Sequence, residues 1–502
     1  MQEIGTVISS ELGPNSKEFW FVLNDNKGVP VRKGQFIQLN TQDGILVARV
    51  EEIIKTNRYY QRAESVSEFE RSGRPLVEQF PVDRWEYLIA QAHPLGVFSN
   101  SIQKRVTFPP SPGNDVYPID EQLLHNVLGL DVNSGLDLGK IEFHNVDAKL
   151  NMTRLFQKHL AILAMSGAGK SYLTGVLLEE ILNRERNQRP SVIMIDPHGE
   201  YGGFAADPKY ATSTKVYGGR EITIATNTLS AYQLSILMPK ITAVQRRELN
   251  PVIRKLRDEK TVYNMQNLIE AVLNSDIKDV KTKSVLASWL HELEYTGLFS
   301  NRDYPSIKDL AYQGNLSIFD LSDIVDIKRK QIIVSYFAWK LFEARRQKKI
   351  SPFVLFVEEA HQFAPQQQEN ELALSRGIIE QVAREGRKFN ACLVLITQRP
   401  AGLSTTALSQ CNTHVIMRVT NPYDLDHIKE SSEGITGGVL DSIPGLKVGE
   451  AYIVGEAVNY PILINVREKK SKSSEKGMKL EDEILNFNNN KQINEKDLET
   501  FM

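Results

Sequence analysis

From Gly5 to about residue 60, apolar and polar positions alternate in short runs. GTVISSELG, EFWFVLND, GQFIQLNT and GILVARVEEII carry this period of two, and Gly13-Pro14, Asn24–Gly28, Lys33-Gly34 and Asp43-Gly44 punctuate it. Short strands at roughly 8–12-residue spacing predict a small β-barrel or sandwich. Residues 60–85 are polar and read as an excursion, and WEYLIAQAHPLGVF returns to strand character. The Pro-rich FPPSPGND at Phe108–Asp115 marks the expected domain boundary.

From about residue 120 the pattern changes. The apolar runs HLAILAM, SVIMID, LSIFDL, FVLFVEE, ACLVLIT and HVIMRV are separated by helical stretches, which predicts an α/β fold with a largely parallel sheet. Pro239 to about Asn315 breaks this alternation. Apolar residues at 241, 244, 249, 252, 253 and 256, then at 285, 286, 289, 290, 293, 298 and 299, have helical spacing. They predict an inserted helical subdomain over about 239–315; the plainer alternative is that these faces merely cover the sheet. GEAYIVG and YPILINVR read as the last strands. The Lys/Ser/Asn-rich residues after Arg467 predict a tail, mobile or reaching a neighbouring subunit. The expected organisation is an all-β domain over 1–110, an α/β core over 116–467 and a tail over 468–502.

Composition narrows the classes. A chain of 502 residues has room for about two to four domains. With 60 Lys+Arg against 62 Asp+Glu the net charge is −2, so any nucleic-acid binding needs a local basic stripe or an assembly. The 41% apolar content excludes a largely disordered chain. Two cysteines, Cys392 and Cys411, fit a reducing compartment. The N-terminus lacks a secretory pattern, and the longest apolar runs, such as Val192–Ile195 and Phe353–Val357, are strand-sized. A cytoplasmic protein without a membrane span is expected.

The sharpest chemical signal is HLAILAMSGAGKS followed by YLTGVLLEEIL: apolar strand, glycine-rich turn, helix. In such a P-loop, Ser166, Gly167, Ala168 and Gly169 turn backbone N–H groups toward phosphate oxygens. The helix N-terminus, carrying Ser171 and Tyr172, adds positive potential. Lys170 reaches the β- and γ-phosphates of ATP, and the Ser171 hydroxyl is the expected Mg²⁺ ligand. The full G-x-x-x-x-G-K-[ST] pattern wants glycine at 164, where this chain has Ala164.

Acids at the end of a second strand complete the expected chemistry. In PFVLFVEEAHQFAP, Glu358 would act on Mg²⁺ and Glu359 would polarise the attacking water. Asp196 in SVIMIDPHGEY competes for the same role. A metal trio with His198 and Glu200 is conceivable there, but a role beside the phosphates or in shaping the turn is preferred. Gln398 ends the strand ACLVLIT and could sense the γ-phosphate or water. In VAREGRKF, Arg384 and Arg387 are either fingers supplied to a neighbour's nucleotide or a basic helix end stabilised by the dipole.

HLAILAMSGAGKS, IDPHGEY, FVEEAHQFAP, AREGRKF and ITQRPAGLSTTALSQCNTHVIMRV follow in the order seen in HerA-type proteins, of the HerA/FtsK branch of RecA-like ATPases. Over essentially residues 1–467 the chain resembles that family, whose P-loops tolerate alanine at the place of Ala164 and whose second strand ends in a Glu-Glu pair. The resemblance implies a RecA-like core with a helical insertion and a HerA-type N-terminal barrel. It implies a homohexamer that hydrolyses ATP at subunit interfaces, translocates on or unwinds duplex DNA held in a central channel and works with a NurA-like nuclease in DNA-end processing. It places Lys158 where the family carries a basic residue, usually arginine, against nucleotide. Asn459, Tyr460 and Pro461 fall where the C-terminal strands could cover the adenine. Gln366–Arg376 is a candidate channel loop. A second reading keeps the ATPase ring but docks it on an effector enzyme in anti-phage defence.

Overall fold

The computed structural model describes residues 2–9, 13–24, 30–57, 60, 63–71, 86–99, 102–259, 262–367, 373–432, 434–474, 481 and 484–485. Residues 72–85 of the excursion, the centre of the candidate channel loop (368–372) and nearly all of the tail beyond 474 lie outside them.

The alternating N-terminal runs form strands β1 (Gly5–Ile8), β2 (Phe19–Leu23), β3 (Phe36–Thr41), β4 (Gly44–Asn57), β5 (Glu86–Ser99), β6 (Ile102–Lys104) and β7 (Asp115–Pro118). They pair in the order β2-β1-β7-β3-β4-β5, and β2 pairs again with β5, which closes a six-stranded barrel; β6 hangs on the outside of β5. Phe19, Phe21, Ile37, Leu39, Leu46 and Val116 fill its interior. The boundary expected at Phe108–Asp115 moves. After the Pro-rich segment the chain re-enters the barrel as β7, between β1 and β3, because closure needs that sixth strand.

The second sheet has eleven strands: β8 (Leu136–Ile141), β9 (Asp147–Leu150), β10 (Leu160–Leu163), β11 (Ser191–Asp196), β12 (Thr214–Gly218), β15 (Leu316–Asp320), β16 (Phe353–Val357), β17 (Ala391–Thr397), β18 (Thr413–Ile416), β19 (Glu450–Gly455) and β20 (Ile462–Val466). The order is β12-β15-β11-β16-β17-β10-β18-β19-β20-β8-β9, and a separate two-stranded ribbon joins β13 (Ile224–Ala225) to β14 (Phe299–Ser300). β12 through β18 in that order are parallel, and β19, β20, β8 and β9 continue antiparallel. The parallel strands are buried on both faces, which is why they read as unbroken apolar runs.

The helical region contributes Ala243–Glu259, Met265–Leu273 and Val280–Tyr295. It is an insertion in the chain and also a cover for the sheet. Leu249, Ile253, Leu286 and Leu290 belong to one continuous core with Ile193, Ile195 and Phe319 of the sheet. Val244, counted on the apolar face, is 54% exposed at the start of its helix.

The barrel is fastened to the sheet by Phe36, whose N–H donates to His144 Nε2 at 3.1 Å, and by Tyr460, whose hydroxyl donates to the Leu95 carbonyl at 2.7 Å. No helix among the described residues is long and apolar enough to cross a membrane. On the other face of the sheet, Phe356 is fully buried edge-on against Phe156, their ring centroids 6.2 Å apart. Phe356→Ala should cost about 3–5 kcal/mol and lower the urea midpoint of the sheet domain; an unchanged midpoint would contradict this packing.

Candidate ATP site

Strand register brings the site together. β16, β17 and β10 are parallel neighbours, with Val357 opposite Leu395 and Thr397 opposite Leu163. Two residues past Val357, Glu359 is therefore level with Thr397 and with the start of the P-loop. The three strands end at one edge, the usual ligand edge of a parallel sheet.

The P-loop has the backbone its sequence demands. Gly167 and Gly169 have φ of 78° and 103°, where a side chain would be strained. Ala164 is fully buried and has no positive φ, so the missing glycine costs nothing here. Gly169 caps the helix Lys170–Leu182 without a side-chain acceptor, which leaves the first-turn N–H groups for an anion. Ser166 and Tyr172 are exposed at the rim and Ser171 half-buried.

Lys170 Nζ donates to Glu358 Oε1 at 2.5 Å and to Glu359 Oε1 at 3.0 Å. All three side chains are buried. Burial pushes the Glu358 carboxyl up to about 7 against the pull of Lys170. Burial also works against the Lys170 charge, but the two carboxylates outweigh it and hold its pKa above the usual lysine range. Glu359 sits in the left-handed region, φ 50°, which turns its side chain back from the strand end. His361 Nδ1 lies 3.3 Å from Glu359 Oε2 and 3.0 Å from Thr397 Oγ1, and burial lowers its pKa, favouring the neutral ring. Gln398, half-buried at the end of β17, stands between the P-loop strand and the acid strand.

Asp196 takes the turn-shaping role. Its Oδ1 accepts from the N–H groups of His198, Gly199 and Glu200 at 3.3, 2.8 and 3.1 Å, and its Oδ2 from Tyr201 at 3.0 Å. His198 and Glu200 are exposed, so the conceivable metal trio is not formed. The loop carries a residue that motif reading passed over: the Tyr201 hydroxyl donates to Glu358 Oε2 at 2.9 Å. His361 and Thr397 were missed too. The signal was present for Tyr201, a hydroxyl-bearing aromatic closing a motif that starts on a buried acid.

Five candidates lie elsewhere. Lys158 precedes β10 at the end opposite the P-loop, where its carbonyl accepts from Asn412 N–H at 2.9 Å and its ammonium pairs with Glu456. Asn459 Nδ2 donates to the Val127 carbonyl at 3.0 Å, and Tyr460 ties the barrel down. Arg384 and Arg387 sit just before β17, also at that far edge. Within one protomer none of the five joins the P-loop.

The donor set fits a nucleotide phosphate and its divalent cation: a lysine, a free helix N-terminus, a hydroxyl and two carboxylates at one edge. Lys170→Ala should lower hydrolysis about 100-fold or more, and retained turnover would overturn the assignment. Glu359→Gln should keep ATP affinity within about threefold while turnover falls about 100-fold. Because Glu358 holds a proton more tightly folded than unfolded, it stabilises the empty protein below the ordinary carboxylate range. That contribution is lost as pH rises toward about 7, so Glu358→Gln should flatten the fall in Tm from about pH 5 to 7; an unaltered slope would argue against the raised value.

Residues 136–341 match the family described as Helicase HerA, central domain. The chain is 25% identical over 93% of its length to the DNA double-strand break repair helicase HerA of Pyrococcus furiosus, covering 92% of that protein. It is 27% identical over 71% of its length to the HerA of Saccharolobus solfataricus, covering 73% of it. Among solved structures, VirB4 of Thermoanaerobacter pseudethanolicus superposes with a TM-score of 0.53 at 18% identity, over 68% of this chain and 98% of that one, a likeness of fold. With the P-loop, the paired acids and the barrel in place, the chain is a P-loop ATPase of RecA-like fold, similar to HerA helicases over most of its length.

Proposed function

We propose that this ATPase is a motor that moves duplex DNA through a ring of identical subunits, a homohexamer, and serves DNA-end processing with a nuclease. The observation that carries the reading is the division of the nucleotide chemistry between two edges of one sheet. Lys170, Glu358 and Glu359 stand at one edge, and Arg384 and Arg387 at the other, separated by the seven residues of β17. That is roughly 20 Å of strand. An arginine there cannot reach its own protomer's phosphates, whereas in a ring it meets the site of a neighbour. Lys158 at the same edge supports the same geometry. Mg²⁺ would be held by the Ser171 hydroxyl and Glu358, with Gln398 beside the γ-phosphate.

A net charge of −2 also favours assembly. One protomer offers DNA no bulk attraction, while a ring can line its channel with cations and keep its outside acidic. Relatives of this chain bear names as DNA repair helicases, which supports DNA as the track. The test is ATP turnover with and without linear duplex DNA, on protein whose mass in solution is known. A hexamer stimulated several-fold by DNA is expected; turnover indifferent to DNA would sink the motor reading. Arg384→Ala or Arg387→Ala, mixed into wild-type rings, should depress activity below simple dilution. Activity that follows dilution for both would remove them as fingers.

A further inference from the structure

The tail expected from residue 468 begins as something else. Residues 467–474 are strapped across the ATP site's own scaffold. The carboxylate of Glu179, wholly buried in the P-loop helix, accepts from Arg467 Nη1 at 2.8 Å and from the N–H groups of Lys470 and Ser471 at 2.7 and 2.6 Å. Nearer the P-loop, Lys469 N–H donates to the Tyr172 hydroxyl at 2.6 Å. Farther along, Lys472 N–H donates to Asp207 Oδ2 at 3.0 Å, and Ser474 Oγ donates to the Gly199 carbonyl at 2.7 Å. Gly199 lies in the loop capped by Asp196, whose Tyr201 holds Glu358.

One short segment thus touches both halves of the catalytic centre. At one end it grips a residue two positions past Lys170, and at the other the loop that steadies the acid. Two glycines make room for it. A methyl on Gly175 would stand 2.8 Å from Lys469 Cδ, and one on Gly203 would stand 2.3 Å from the Lys472 carbonyl oxygen. The second is a backbone collision that no side-chain rotation relieves. Two backbone N–H groups and an arginine converge on one wholly buried carboxylate, charge-assisted bonds that hold the segment firmly in place.

We infer that Glu179 is a positioning residue for ATP hydrolysis: it anchors a C-terminal strap that holds the P-loop helix and the Asp196–Tyr201 loop in fixed relation, so that phosphate and attacking water stay aligned. The inference rests on the ATP-site assignment. In the proposed site the P-loop makes the main phosphate contacts, so loosening the strap misaligns the two halves without removing either.

The test uses the full chain carrying Glu179→Gln or Gly203→Ala. Hydrogen exchange at 468–474 reports release of the strap, exchange at 197–201 reports the acid loop, and ATP binding and kcat are measured on the same samples. Release should raise exchange in both segments and lower kcat about tenfold, with the Kd for ATP within about twofold. Faster exchange at 468–474 with exchange at 197–201 and kcat unchanged would overturn the inference. So would an equal loss in Kd and kcat in a folded variant. If Glu179→Gln does not fold, Gly203→Ala, which acts on the strap from outside the P-loop helix, decides alone. Lys170→Ala separates the two levels: if it keeps turnover the ATP-site reading fails, whatever the strap does.

Discussion

The ion cluster of Lys170 with Glu358 and Glu359 is the constraint around which the sheet is arranged. Charges this deeply buried are tolerable only when paired and further hydrogen-bonded. Lys170 answers both carboxylates and Tyr201 takes the second oxygen of Glu358, while that of Glu359, 3.3 Å from His361 Nδ1, makes no hydrogen bond among the described residues. The cluster also defines what nucleotide must do on arrival. In the proposed mechanism phosphates would compete for Lys170, and a cation would then take over its charge beside Glu358.

Reaching that geometry takes long-range register. The lysine and the acids are 188 and 189 residues apart in sequence, and only the parallel pairing of β10, β17 and β16 sets them level. The glycine conformations of the P-loop and the left-handed backbone at Glu359 then aim the side chains. The far ends of the same strands carry Lys158, Arg384 and Arg387, so the sheet is a spacer with opposite chemistry at its two edges. The barrel leaves this edge-to-edge division intact, since it fastens through Tyr460 and the β3–β5 strands, away from the P-loop.

Much of this was legible in the sequence because it is local. The P-loop turn, the apolar strand ending in Glu358-Glu359 and the alternating barrel strands are written in consecutive residues whose period or chemistry is diagnostic. What escaped is non-local. Pro-rich Phe108–Asp115 looked like a boundary, yet barrel closure required one more strand after it. The residues after Arg467 are polar and lysine-rich, the composition of a solvated tail. Yet residues 468–474 are held in place, in large part by the buried acid Glu179, nearly three hundred positions upstream. Tyr201 was hidden for the same reason, since nothing in IDPHGEY says where its hydroxyl ends. Within the protomer, Asn459 and Tyr460, placed near adenine by resemblance, bond instead to the Val127 and Leu95 carbonyls.

The most direct test of the central claim is a crystal structure of the protein with a non-hydrolysable ATP analogue and Mg²⁺. It should show Lys170 swung from the acids to the β- and γ-phosphates, with Glu358 facing the metal. A nucleotide bound elsewhere, or a Lys170 still paired with Glu358 beside bound phosphates, would contradict it.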